Sequence, residues 1–226
     1  AEELGYKEKI ARIPIIIKLD PSEDIATIQE NIKNAEGHSK QDISLIMGDN
    51  HILVFKTLPG DSIINYKDTV KDYIKNIDNK LKSKGNTPGN YYVGTPQHEF
   101  ELYRQGFHHA NWMEMNKSKA NSDALFFMDF ISDYFRDSLP FDIFDNIFSS
   151  YLKVLDQFGE SVFVETAGAL LENNMNIINT SQKLFLHRNT VTFRLNKIKD
   201  ILGIDPVNSM SDREFLSHML YFINNK

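Results

Sequence analysis

One stretch decides the fold of the C-terminal half: Asn179-Thr180-Ser181-Gln182-Lys183-Leu184-Phe185-Leu186-His187-Arg188-Asn189-Thr190-Val191-Thr192-Phe193-Arg194-Leu195-Asn196-Lys197-Ile198-Lys199. Its pattern predicts a short helix ending near Phe185, a brief turn, and a second helix starting at His187 or Arg188. In that second helix Val191, Leu195, Ile198 and Leu202 fall at i, i+4, i+7 and i+11, a single apolar stripe that neighbouring helices must cover. The other face carries Arg188, Asn189, Thr192, Asn196 and Lys199, with Arg194 and Lys197 on its flanks. Two helices joined by a tight turn, spanning about 177–203, read as a helix-turn-helix.

The polar face suits a duplex. Side chains with forked donors discriminate base edges, and cations hold phosphates. Arg188 can donate two hydrogen bonds to guanine and Asn189 can pair with adenine, and both lie in the first turn, the part of such a helix that enters the major groove most deeply. Thr192 extends that surface. Thr190 and the helix N-terminus offer donors to phosphate, and Arg194 and Lys197 are placed to fix the backbone register. His187, at the helix start, can cap the helix or contact DNA, and the sequence leaves both open. Single units of this kind act in pairs on half-sites about one helical turn (~34 Å) apart. Double-stranded DNA and a homodimer or higher homo-oligomer are therefore the expected partners.

Charge agrees with this reading once it is resolved along the chain. The 226 residues carry a net charge of −6. Residues 1–156 hold 18 Lys and Arg against 24 Asp and Glu, whereas residues 157–226 hold seven of each. Within the latter, residues 173–199 contain Lys183, Arg188, Arg194, Lys197 and Lys199 and no acidic residue. A basic segment in an otherwise acidic chain is an electrostatic footprint for a polyanion; charge taken alone favours a solvated basic helix face with no partner.

Outward from this segment the chain divides in two. Ala11–Leu19 is a β-branched run and predicts a buried strand, with Pro14 marking a local irregularity. Ser22 is a plausible N-cap for a helix over 23–35. Ile43–Met47 and His51–Leu58 flank Gly48-Asp49-Asn50 as a hairpin. A helix is expected over 61–84, a short strand over 91–94, a helix over 97–116 and a last strand over 124–128. This βαββαβ order with an added helix and strand predicts a ferredoxin-like α+β domain over 1–128. Residues 129–226 show no strand pattern and predict helices near 129–137, 141–155, 159–173, 177–185, 188–202 and 211–224, an all-α domain. Nine of the 16 Phe residues fall between Phe126 and Phe163. They fit a helical core and domain junction, or a dimer interface.

Several classes of function are set aside. There is no Cys, so disulfides and thiolate metal sites are excluded. No stretch approaches ~20 apolar residues, so no transmembrane helix is expected, and a cytoplasmic location is the simplest expectation. His98 and His109 share a helix face but would lie ~16 Å apart along it, too far for joint chelation by bonds of ~2 Å; His108 and these two read as ordinary histidines. Neither a phosphate loop, a nucleophile elbow nor a paired-carboxylate motif is present, and no cofactor is expected.

Leu186-His187-Arg188-Asn189-Thr190-Val191-Thr192-Phe193-Arg194-Leu195-Asn196-Lys197-Ile198, followed by Leu202-Gly203-Ile204-Asp205-Pro206, resembles the C-terminal helix-turn-helix of the PucR/CdaR regulators of purine catabolism and sugar-diacid use. Phe163-Val164-Glu165-Thr166-Ala167 and the Asn-rich turn near Asn173–Asn176 resemble the segment that precedes it. Ser181 departs from the Ala usual at the tight inter-helix contact. The resemblance implies that 1–128 is a degenerate GGDEF-like domain. The signature of active cyclases would fall on Met47-Gly48-Asp49-Asn50-His51, where neither the glycine pair nor the acidic pair is present, and Asp20 is a lone carboxylate. It thus implies a regulator rather than an enzyme, with a small-molecule effector sensed by a domain outside this chain. The N-terminal Ala1 and the expected missing domain read as a piece of a longer protein. The competing readings are a nucleotide- or effector-binding signalling module and a residual cyclase-like enzyme in the first domain.

Overall fold

The computed structural model describes residues 9–60, 63–117, 124–155 and 158–226. The chain forms two compact units, Ala1–Tyr134 and Phe135–Lys226.

The first unit is built on β1 (Lys9–Lys18), followed by α1 (Ile25–Lys33), β2 (Ile43–Met47), β3 (His51–Thr57), α2 (Tyr66–Ser83), β4 (Asn90–Val93), β5 (Gln97–Glu99), α3 (Tyr103–Asn116) and β6 (Leu125–Phe126). The sheet runs β2-β3-β1-β4-β6, with β5 also paired to β1. Neighbours are antiparallel except β4 and β6, which are parallel. β1 is central, and residues 11–17 are buried on both faces. Ile13, Ile15 and Ile17 join α1 and α2 residues such as Ile28, Ile32, Val70, Ile74 and Ile77. Ile16 faces the other way, onto Ala110 and Met113 of α3. A strand covered on both faces needs the near-continuous β-branched run that this one has.

Pro14 sits in that central strand opposite Phe55. Its carbonyl accepts from Gly94 N–H at 2.9 Å, so its missing N–H also faces the β4 side. There β1 pairs with β4 over 15–18 and with β5 over 9–12, with a register shift between Lys9 and Arg12. The irregularity expected at Pro14 is this junction. Gly106 of α3 closes over it, where a Cβ on Gly94 would stand 2.1 Å from the Gly106 carbonyl oxygen.

Three expectations for this unit are corrected. The cap of α1 is Asp24, whose carboxylate accepts from Ala26 N–H at 3.2 Å; Ser22 instead donates through N–H and Oγ to Asp20 at 2.9 and 2.6 Å. Gln97–Glu99 is strand rather than helix, because the start of β1 supplies it with a partner; a 3-10 turn over Phe100–Leu102 then leads into α3. The last strand covers only Leu125–Phe126, and Phe127–Asp129 forms a 3-10 turn. The expected helix over 61–84 is found from Tyr66; 61–62 lie outside the described residues.

The second unit comprises α5 (Phe141–Leu155), α6 (Glu160–Glu172), α7 (Ile177–Leu184), α8 (Arg188–Leu202) and α9 (Met210–Asn225), and the division between units falls inside α4 (Ile131–Asp137) rather than at 128/129. The cause is visible in the packing: Phe127, Phe130, Ile131 and Tyr134 belong with α3 and Trp112. Phe144, Phe148, Phe163, Leu170, Val191, Leu195, Ile198, Leu216, Met219 and Phe222 form the helical core. Of the clustered Phe residues, Phe126, Phe127, Phe144, Phe148 and Phe163 are buried, whereas Phe135 and Phe141 are exposed.

Candidate nucleic-acid interface

The turn geometry of the second unit is set by local chemistry. α6 ends in the Asn-rich turn, where Asn174 and Met175 adopt positive φ (51° and 62°). Asn176 caps α7, its side chain accepting from Asn179 N–H at 3.0 Å. α7 stops at Phe185, in the left-handed region at φ 54°. Leu186 N–H then returns to Ser181 carbonyl oxygen at 3.0 Å, which satisfies one of the helix-end acceptors. Ser181 is buried and its hydroxyl donates to Ile178 carbonyl oxygen at 2.8 Å, so it brings no unpaired polar group inside.

His187 is the N-cap of α8: its Nδ1 accepts from Asn189 N–H at 3.3 Å. Capping, one of its two expected roles, is therefore present in the free protein, and it requires a lone pair on Nδ1. The side chain is exposed. Val191, Leu195 and Ile198 are 0%, 5% and 1% exposed, and Leu202 is half-buried beside them. The stripe thus anchors α8 as its spacing requires. Gly203 closes the helix at φ 66°.

The polar side chains divide into two groups. Arg188, Asn189, Thr190, Thr192 and Asn196 are exposed. Arg188 has no ion pair or side-chain hydrogen bond among the described residues, and the Thr192 hydroxyl donates to the Arg188 carbonyl oxygen at 3.0 Å. The remaining cations are engaged within the protein. Arg194 Nη1 reaches Glu165 Oε2 at 3.0 Å and Thr166 Oγ1 at 3.1 Å, tying α8 to α6. Lys199 pairs with Asp205 at 2.8 Å, and Lys183 with Glu172. Lys197 Nζ stands 5.1 Å from the centre of the Phe158 ring. Lys199 and Asn208 hold the Asp205 carboxyl below the ordinary carboxylate range.

The local surplus of five positive charges read along the chain is therefore partly neutralised in space by Glu165, Glu172 and Asp205, two of them on α6 and one just past α8. Two further residues escape the sequence pattern. Phe185 is 95% exposed and Phe193 is 68% exposed. Phe185 lies at the end of α7 and Phe193 on the outer side of α8, where its position off the apolar stripe is the sequence signal.

Among the described residues no group of three or more His, Asp or Glu could hold a metal ion, and no helix is long and apolar enough to cross a membrane. His109 of the first unit lies against Phe127 (ring centres 4.2 Å apart), with Nδ1 2.8 Å from Thr95 Oγ1. Burial keeps its pKa below the ordinary histidine value.

Comparison with known proteins bears on the same segment. Residues 163–214 match the PucR C-terminal helix-turn-helix domain. The chain is 31% identical over 132 residues to the carbohydrate diacid regulator of Escherichia coli (strain K12), an alignment that covers 57% of this chain and 32% of that protein. It thus spans about a third of the length of this curated relative. Among solved structures it is similar to a regulator of polyketide synthase expression from Bifidobacterium adolescentis (14% identity, TM-score 0.37, covering 99% of this chain and 84% of the other).

Proposed function

We propose that the chain is the DNA-binding part of a bacterial transcriptional regulator of the PucR/CdaR type, a reading supported by the match of residues 163–214 to the PucR C-terminal helix-turn-helix domain. The observation that carries this is the placement of Arg188 and Asn189: both exposed in the first turn of a helix whose apolar stripe is fixed in a core. Side chains already exposed on a fixed helix meet a base edge without rearrangement of the fold, so the ordering cost is confined to their own rotamers, about 0.5–1.5 kcal/mol each.

In this reading Arg188 donates to guanine and Asn189 pairs with adenine, with Thr192 beside them and His187 holding the helix start. Thr190 and Lys197 contact the phosphate backbone. Arg194 acts chiefly by tethering α8 to α6 through Glu165 and Thr166. The sheet order β2-β3-β1-β4, with antiparallel neighbours, supports reading the first unit as ferredoxin-like and akin to a degenerate GGDEF-like domain. The hairpin at Met47–His51 carries one carboxylate, Asp49, which supports a unit without cyclase chemistry. A cytoplasmic homodimer or higher homo-oligomer completes the reading. Its effector is sensed outside this chain, and its target genes are of the sugar-diacid or purine type.

The test is selection of duplexes from a random pool by this chain, followed by fluorescence anisotropy across a salt series. The expected result is an enriched sequence with half-sites about one helical turn (~34 Å) apart and affinity that falls steeply with salt. Equal affinity for selected and random duplexes would overturn the proposal.

A further inference from the structure

Helix geometry singles out one residue that the polar pattern of α8 does not explain. At 3.6 residues per turn, Phe193 points roughly 165° away from the middle of the Val191–Leu195–Ile198 stripe, more directly outward than any of the polar residues of the first two turns. It is 68% exposed. Asn189 precedes it by four residues and Asn196 follows it by three, and both are exposed on the same face. A phenyl ring on a face shared with the amides of Asn189 and Asn196 and the carboxylate of Asp200 is exposed at a cost in free energy, since water gains nothing from it. It stays largely exposed in its own unit, whereas Asn189 and Asn196 beside it offer hydrogen bonds to a polar surface.

A duplex presents such a surface with one apolar feature in its major groove, the 5-methyl group of thymine. We infer that Phe193 reads thymine, its ring covering the 5-methyl group of a base close to the one met by Asn189, which is exposed on the same face. The inference rests on the DNA-binding reading above. The rise from Asn189, on the same face one turn earlier, to Phe193 is ~6 Å along the helix, about two base steps at 3.4 Å. The chemistry is apolar contact, so it adds discrimination of thymine from cytosine, which lacks the methyl group, without a further hydrogen bond. Asp200, exposed on this face seven residues later, sets the far limit of the contact, since its carboxylate repels phosphate.

The test uses the duplex selected by this chain, with each thymine replaced in turn by deoxyuridine, which removes the methyl group and nothing else. With the wild-type chain, one or two positions per half-site should weaken binding ~4-fold, the equivalent of one buried methyl group. With Phe193→Ala those positions should become insensitive, and affinity for the thymine duplex should fall to that for the uracil duplex. Phe193→Leu, which keeps an apolar side chain, should retain part of the sensitivity. An unchanged thermal transition in both variants establishes that the fold is intact, as exposure of the side chain leads one to expect. The inference is overturned if no thymine responds, if Phe193→Ala retains the same uracil penalties, or if its effect is on self-association instead. Selection of no sequence at all would refute the DNA-binding reading itself.

Discussion

Replacing Arg188 by Ala separates base reading from simple charge attraction. Because Arg188 is exposed and has no ion pair among the described residues, its loss removes no internal contact, and stability should stay within about 0.5 kcal/mol of the parent. The cost should fall on one base position. A bidentate arginine–guanine contact supplies ~1–3 kcal/mol of discrimination, which at ~1.4 kcal/mol per tenfold is roughly 5- to 150-fold in the ratio of specific to non-specific affinity. The salt slope should change by less than one ion, because the lost contact is to a base. Lys197→Ala provides the contrast: if Lys197 meets a phosphate, all sequences should weaken alike and the slope should fall by about 0.9. Anisotropy titrations of the selected duplex, of single-base variants and of a scrambled duplex, each at several salt concentrations, read all of this. If Arg188→Ala weakens every duplex by the same factor, the assignment of Arg188 to a base is wrong.

Two further predictions concern the scaffold. His187→Ala should lower the stability of the helical unit by ~1 kcal/mol through loss of the cap, whereas His187→Asp, with a stronger acceptor at the helix N-terminus, should keep or raise it; equal losses in thermal unfolding would rule out capping as the role. In the first unit, burial alone would push the Asp42 carboxyl up, but the Lys56 ammonium at 2.8 Å and the Ser39 and Thr57 N–H groups outweigh it and hold it below the ordinary carboxylate range. A depressed native pKa gives stability that is full above the unfolded-state value near 4 and lost as pH falls through the native one. Acid unfolding should show this loss, and Asp42→Asn should abolish its share while costing ~3–5 kcal/mol by leaving Lys56 buried without its carboxylate. Identical acid profiles for Asp42→Asn and the parent would contradict the account.

How far the sequence could be read follows from the range of the interactions involved. Local signals were legible: the β-branched run of β1, the glycine-centred hairpin and the stripe of α8 each depend on neighbours within a few residues. β5 was not, because Gln97-His98-Glu99 has no apolar alternation and becomes a strand only through pairing with Lys9 and Arg12. Arg12 likewise gives no hint in sequence that it is fully buried. Its guanidinium donates to the Gln41 carbonyl oxygen at 2.9 Å and to Tyr103 Oη at 2.6 Å, partners from distant loops and helices. At the candidate site, burial of the stripe could be read from spacing, but the distribution of charge could not. Glu165 lies 29 residues before Arg194 and meets it only because α6 packs on α8. Phe193 escapes any reading that sorts a helix into an apolar stripe and a polar remainder.

The central claim is that the outer face of α8 lies in the major groove, and interference by guanine N7 methylation tests it most directly. N7 lies on the major-groove edge, where an arginine that recognises guanine must bind. The account predicts that methylation of one guanine in each selected half-site blocks binding by the parent chain, and that this block disappears for Arg188→Ala. Interference confined to adenine N3 on the minor-groove edge, or none at any base, would contradict it.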